Sequence, residues 1–447
     1  MILDRPIFFR TILLFAGFSF GFSAFAAKST GRIVIGATAV TERYTTSEFG
    51  SSSNDALVAS ARYFYKVSDI GEDKWETILD FRDKNDFFGK LNKEQLQLES
   101  KNEFQVRQLT ARWVNPQGAL SAQVGRFQVF ESGSTYLDGA AGEFRFNPEW
   151  KTGLLAGLNP KSLEKSYLEY NANAGQSGAY LTYQSRDRDW NENQYLTLAM
   201  VNQTYYSKTE RSFLFNNFVY QWNADSRVIN TLYYDFVPSA KVQTLNFLYQ
   251  QRITNRLTSE LGALHLDVVE YKRVQNLLEK LPSSPYDETR LQFEYKVSDD
   301  NNLGIEFLSG RRKFDLLTKE EVVLGYDFNN LFSRSFDLRT QAGYRKNFTS
   351  KDSFFRLNMG YYSSNWEIYL DNQIGQNKND DGTKTNPLIT DLGVTNYFSK
   401  QLYLNFSVQR AAQEGVNIIA TFFRIGYRFG NQEIPPVRDG APPRGAL

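Results

Sequence analysis

Alternation is the property that most limits what this chain can fold into. In NWEIYLDNQIGQ, Trp366, Ile368, Leu370 and Ile374 share one face, while Glu367, Tyr369, Asp371 and Gln373 share the other. QLYLNFSVQ repeats the pattern with Leu402, Leu404, Phe406 and Val408 against Tyr403, Asn405, Ser407 and Gln409. RLQFEYKVS sets Leu291, Phe293, Tyr295 and Val297 against Arg290, Gln292, Glu294 and Lys296. These runs alternate for about 9 to 14 residues, longer than the ~5 or 6 typical of a soluble sandwich and near the length of a tilted membrane-crossing strand.

Composition supports the same reading. Aromatic residues make up 15% of the 447-residue chain, yet 23% of residues are charged and the mean hydropathy is -0.48. A chain so aromatic and so polar needs its apolar side chains on one thin surface, as a lipid-facing wall requires. The opposed faces are then a wet interior carrying Arg290, Glu294, Asp337, Arg339, Arg345, Arg356, Glu367, Asp371, Arg424 and Arg428 as pore-lining residues. Arg62, Lys66, Glu76, Asp80, Arg82 and Lys296 join them, with Tyr369 and Tyr403 projecting inward. Such ladders satisfy one another across strands and also set a field that screens solutes by charge.

The N-terminus reads as an export signal over residues 1–26. Arg5 and Arg10 make a basic start, Thr11 to Phe22 an apolar stretch, and Ala24-Phe25-Ala26 a small-residue cleavage site. Residues 27–430 are expected to form an all-β, transmembrane antiparallel β-barrel, and residues 431–447 a disordered periplasmic tail. The expected location is the outer membrane of a Gram-negative bacterium, with outer-membrane lipid as its surroundings. The chain has no cysteine, which excludes disulfides, thiolate metal sites and covalent haem attachment. A net charge of +1, from 51 basic and 50 acidic residues, points away from nucleic acid.

Strand number follows from the connections, which should alternate between short turns and longer loops. From the C-terminus backward, AAQEGVN, QNKNDDGTKTN, FTSKDS, DLLTK and KRVQNLLEKLPSSPYDE read as loops; FSKQ, SSN, NNLFS and SDDNN are the turns between them. Counting from the two ends gives 23 segments that meet out of phase between Ala140 and Asn193. A single-chain bacterial barrel has an even number, so the expectation is about 22 strands, within 20 to 24.

Catalytic chemistry finds little support. His265 is the one histidine, in SELGALHLDVV, and no Ser-His-Asp constellation can be assembled around it from sequence, so no enzyme is expected. Asn379, Asp380, Asp381 and Gly382 offer oxygen ligands but lack the fixed spacing and distal Glu of a calcium loop, and they are ordinary turn residues. No cofactor or metal is expected. Val274, Leu277, Leu278 and Leu281 have helical spacing within the longest loop, as a cap or a constriction would.

One stretch departs from plain alternation: QVGRFQVFESGSTYLDGAAGEFRFNPEWKTGLLAGLNP. A strand ends in Gly125-Arg126, a small-residue loop follows, and Leu137-Asp138-Gly139 opens the next strand. This run resembles segments of bacterial porin-like barrels, the alginate-export type among them, in which a similar motif lies at the pore wall. The resemblance implies a diffusion or export pore with Arg126 and Asp138 as pore or constriction residues. The expected function is a porin-like channel for small polar solutes, with selectivity set by lumen charges and in-turned loops. The alternative is an export conduit or scaffold barrel working with periplasmic partners, as in polysaccharide export.

The resemblance to the barrel class also implies recognition by the barrel-assembly machinery through a terminal aromatic residue. Here RIGYRF supplies Tyr427 and Phe429 but is followed by Asn431 to Leu447, in which Pro435, Pro436, Pro442 and Pro443 preclude a further strand. Arg438 and Arg444 on that extended stem are the place for a periplasmic partner. Deleting Asn431 to Leu447 is expected to leave the heat-modifiable gel migration of the folded barrel unchanged. Failure to assemble would show that the closing strand lies further on.

Overall fold

In the computed structural model, residues 28–46, 50–70, 74–86, 102–160, 170–185, 194–269, 285–331 and 335–430 are described. The proposed export signal, the tail after residue 430 and the helical segment at 274–281 lie outside them. The chain runs as consecutive antiparallel strands, β1 (Lys28–Thr46) to β23 (Val416–Gly430). Of these 23 segments, β20 (Lys384–Thr385) is a two-residue flap folded back on the end of β19 (Trp366–Asn379). Within the wall β19 pairs directly with β21 (Leu388–Tyr397), which leaves 22 wall strands. Between Ala140 and Asn193 the chain holds the end of β6 (Thr135–Arg145), β7 (Trp150–Pro160) and β8 (Tyr170–Gln184), which settles the parity conflict of the sequence count.

The sheet closes on itself. β1 pairs with β23 from Thr30↔Gly430 to Tyr44↔Val416, and on its other side with β2 (Gly50–Ile70). Closure removes the two open edges that a finite sheet would present, so backbone donors and acceptors are satisfied around the ring. This is the architecture of a closed antiparallel β-barrel.

Strand register sorts the side chains as alternation predicted. Leu261, Leu291, Phe307, Val322 and Tyr344 stand in one cross-strand row on the outward face, each substantially exposed. Ile33, Tyr427 and Leu402 form part of a similar outward row across the closing seam. One position along each strand the row is inward and polar: Glu321, Arg345 and Asp352 are neighbours in register.

Inward aromatic rings lie flat on glycines of the adjoining strand. Tyr403 covers Gly426, where an added Cβ would meet the ring at 2.2 Å, and Tyr369 covers Gly393 in the same way at 2.1 Å. The ring restores the packing that glycine lacks, and it stays against the wall instead of standing across the lumen. Both tyrosines therefore project inward, as the sequence indicated, but as wall lining.

A charge placed on the outward face is expected to be costly. Phe423, near the middle of β23, is 44% exposed on that face. Phe423→Arg should destabilise the barrel by about 2–4 kcal/mol, measured by denaturant unfolding in lipid vesicles, whereas Arg424→Gln on the inward face should change stability little.

Candidate functional site: an in-folded hairpin in a charged lumen

β5 (Leu120–Val129) starts as an ordinary wall strand and then leaves the wall. Its ladder to β4 (Asn102–Val114) runs from Val114↔Ser121 only as far as Leu109↔Arg126, although β4 itself begins at Asn102. On the other side, β6 pairs with β7 from Arg145↔Lys151 only to Asp138↔Leu158. β5 and β6 go on pairing with each other to Val129↔Thr135, so residues 127–137 form a hairpin detached from its flanking strands.

Three glycines mark the crease. Gly125, Gly139 and Gly157 are aligned across β5, β6 and β7. Gly125 has φ +115°, a conformation that side-chain-bearing residues rarely adopt, and a Cβ there would lie 2.1 Å from the Leu109 carbonyl oxygen. At Gly139 a Cβ would meet the Ala156 carbonyl oxygen at 2.3 Å. Only glycine permits backbones to approach this closely where the sheet bends.

The hairpin turns inward and packs on the inner wall. Phe127 and Leu137 are fully buried against Tyr180, Val201, Phe213 and Phe215, which face inward from β8, β9 (Gln194–Tyr205) and β10 (Lys208–Asn223). At the tip, a 3-10 turn over Phe130–Ser132 ends in Gly133, and the Tyr233 hydroxyl donates to the Gly133 carbonyl at 3.1 Å. Lys151 lies between Glu131 of the tip and Glu143 of the wall, at 2.6 and 2.9 Å, and the Tyr180 hydroxyl donates to Glu143 at 3.1 Å. The Gln176 side-chain amide donates to the Tyr136 carbonyl. Apolar burial and charged tethers together make the hairpin a fixed feature of the lumen.

Arg126 and Asp138 sit at the crease. Their side chains form a two-pronged pair at 2.6 Å for each contact, and Arg126 Nη1 also donates to the Val106 carbonyl of β4 at 3.1 Å. Arg126 thus binds the departing hairpin to the strand it has just left. Behind the hairpin, Tyr136 comes within electrostatic range of Arg62 on β2, which itself makes a two-pronged pair with Asp80 of β3 (Trp75–Asp86).

The remaining candidate residues line the inward face in two differently charged sectors. On β14 (Tyr286–Lys296) to β19, each arginine of the set has an acidic partner: Arg290 with Glu306, Arg339 with Asp327, Arg345 with Glu321, and Arg356 with Asp371. Carboxylates are in excess there, with Glu288, Glu306 and Glu321, and Glu260 of the preceding strand, close enough to interact. Glu294 lies within electrostatic reach of Arg339, Glu367 accepts from Tyr397 at 3.1 Å, and Asp337 accepts the Asn330 amide at 3.2 Å. Three wall strands beyond β19, Arg424 and Arg428 face inward from β23, with Arg32 of β1 opposite Arg428.

Two other sequence candidates take ordinary structural roles. His265 is on the outward face at the loop end of β13 (Leu257–Leu266), with its ring nitrogens hydrogen-bonded to Asp287 and the Val242 carbonyl. Asp381 accepts the Thr383 amide at 2.8 Å in the turn before β20, and these hydrogen bonds hold its carboxyl below the usual range. Among the described residues no group of three or more His, Asp and Glu side chains is arranged to hold a metal.

Sequence pattern missed the inward packing of the hairpin. The signal lay in the departure from alternation: Phe127 and Leu137 fall on the inward parity of β5 and β6, where a wall strand carries polar residues, while Arg126 and Asp138 fall on the outward one. Leu137→Ala is expected to loosen the hairpin at a cost of about 2–5 kcal/mol, seen as new protease cleavage near Phe130–Ser134 in the folded barrel. Arg126→Ala, which strands the Asp138 carboxylate, should lower barrel stability by about 3–5 kcal/mol in the same unfolding assay.

No protein-family model matches this chain, and no curated protein matches its sequence. Among solved structures it is similar to Acinetobacter baumannii OccAB1, with TM-score 0.46, 8% identity, and coverage of 91% of this chain and 98% of that one. OccAB4 of the same organism gives TM-score 0.45 and 9% identity over 91% and 99% of the two chains. Pseudomonas aeruginosa OpdK, solved with vanillate, gives 0.42 and 11% over 91% and 100%.

Proposed function

We propose that this protein is an outer-membrane channel for small polar solutes, in which the in-folded β5–β6 hairpin narrows the lumen and segregated wall charges select what passes. The observation that carries this reading is the hairpin itself. A barrel of about 22 strands encloses more space than its own side chains fill, and here a wall segment is folded into that space and fixed at its tip by Lys151–Glu131.

The two wall sectors supply the selectivity. A solute passing the hairpin meets the carboxylate-rich surface of β14–β19 and, three wall strands further on, the arginines of β23 and β1, so a molecule bearing separated positive and negative groups is oriented as it moves. Paired residues such as Arg356 and Asp371 hold their side chains against the wall, which keeps the passage from being blocked by mobile charges.

Planar-bilayer recording of the purified protein tests the reading. Steady open channels are expected, and replacing residues 127–137 by a short turn should raise single-channel conductance several-fold while preserving barrel assembly. Unchanged conductance would remove the hairpin from the permeation path. A pore that stays closed until a periplasmic component is added would favour the export-conduit alternative.

A further inference from the structure

On the outer side of the wall, lysines face one another across neighbouring strands. Lys346 of β17 (Phe336–Asn347) is opposite Lys351 of β18 (Ser350–Tyr362), Lys351 is opposite Lys378 of β19, and Lys378 is opposite Lys384 of the β20 flap. Register puts the first three on the same face as Tyr344, Phe355 and Ile374, which are exposed on the outward side. Like charges directly opposite on paired strands repel. Such a row persists where something supplies the counter-charge.

The chain supplies little of it. Glu320 of β16 (Thr318–Phe328), at one end of the row, comes within 3.5 Å of Lys346. Lys351, Lys378 and Lys384 are exposed and make no ion pair or side-chain hydrogen bond among the described residues. Asp381, in the turn beyond β19, is engaged with the Thr383 amide instead. Inside the wall the rule is reversed, for on these same strands Arg345 and Arg356 are matched to Glu321 and Asp371.

The neighbouring rows show what carries the counter-charge. Directly below the lysines, towards the middle of the wall, the outward row is Tyr344, Ser353 and Gln376, and two positions further on it is Ala342, Phe355 and Ile374. Charge, then hydroxyl and amide, then hydrocarbon is the order of a lipid from headgroup to acyl chain. The row lies at the end of the ring opposite Lys28 and Gly430, the end of the external loops. At the other end the same strands turn Phe336, Tyr361 and Trp366 outward, with no cation among them.

We infer that the row from Lys346 to Lys384 is a docking surface for a phosphorylated lipid of the outer leaflet, whose phosphate groups supply the missing charge while its chains lie on Phe355 and Ile374. Each ammonium is a compact point charge on a flexible stem, suited to phosphate at a membrane surface. A soluble anion has no chains for the apolar rows directly beneath. The surface is on the outside of the wall, so it stands whether or not the pore conducts.

The test uses the full-length protein in neutral detergent, with native mass spectrometry counting bound lipid. Lipid A bearing both phosphates should be retained in preference to the same acylated sugar without phosphate. Lys351→Gln combined with Lys378→Gln should lower that retention at least tenfold. Arg256→Gln combined with Lys400→Gln removes equal charge from exposed turns at the opposite rim and should leave it unchanged. Lys351→Glu places a carboxylate between Lys346 and Lys378, so it should raise the thermal midpoint in neutral detergent and abolish the further rise that lipid A gives the wild type. Equal retention of the phosphate-free glycolipid overturns the proposal, as does retention unaffected by the lysine variants when they keep wild-type heat-modifiable migration. Displacement of lipid A by millimolar inorganic phosphate assigns a soluble anion to the row and overturns the lipid reading. A Lys351→Glu protein no more stable than the wild type removes the repulsion on which the inference rests.

Discussion

The structure depends on one constraint: in a lipid bilayer the backbone has no water to bond, so each strand must find partners on both edges. Only closure meets that requirement for a sheet, and the long β1–β23 ladder provides it. The even number of wall strands follows, because the first and last strands must run antiparallel to pair. Outward rows of Leu, Phe and Tyr and inward rows of charge are then fixed together, since a shift of one residue would exchange the two faces.

The in-folded hairpin departs locally from that rule, and its details show how the departure is offset. Where β5 leaves β4, the Arg126 guanidinium reaches the Val106 carbonyl, replacing part of the lost ladder with a charged donor. Where the hairpin enters the lumen, Phe127 and Leu137 bury completely on an apolar patch that a water-filled channel would otherwise leave wet. Beneath that patch, Asp235 is fully buried and bonded to Arg211, whose guanidinium lies 4.3 Å from the Phe213 ring centroid. Crease, apolar face and tip tethers act as one unit, with wall and plug made from the same stretch of chain.

Charge in the lumen follows a similar logic of satisfaction. Many inward charges close pairs with a residue on the adjacent strand, as Lys66 does with Glu76 and Arg345 with Glu321. These pairs make the interior compatible with folding and give the wall its texture. The opposed lysines on the outer face stand out only against that background, because an unpaired charge is informative where pairing is otherwise the rule.

Much of this was legible in the sequence. Alternation alone separated Leu291 from Arg290 and Ile368 from Glu367, because strand geometry sends successive side chains to opposite faces whatever the partner strand is. The turn and loop rhythm, with the even number that a closed antiparallel ring requires, led to about 22 strands, the number found in the wall. The hairpin's destination was not legible, since Tyr233 and Gly133 are a hundred residues apart and meet only once the intervening strands have paired. Nor was it legible which arginines are neutralised: Arg339 and Arg428 look alike in sequence, yet one faces Asp327 and the other Arg32. Local pattern determined the barrel and the two faces of its wall, because those depend on dihedral angles and solvent preference residue by residue. Register and closure, which are properties of the whole ring, decided what fills the lumen and which charges remain there for a solute to meet.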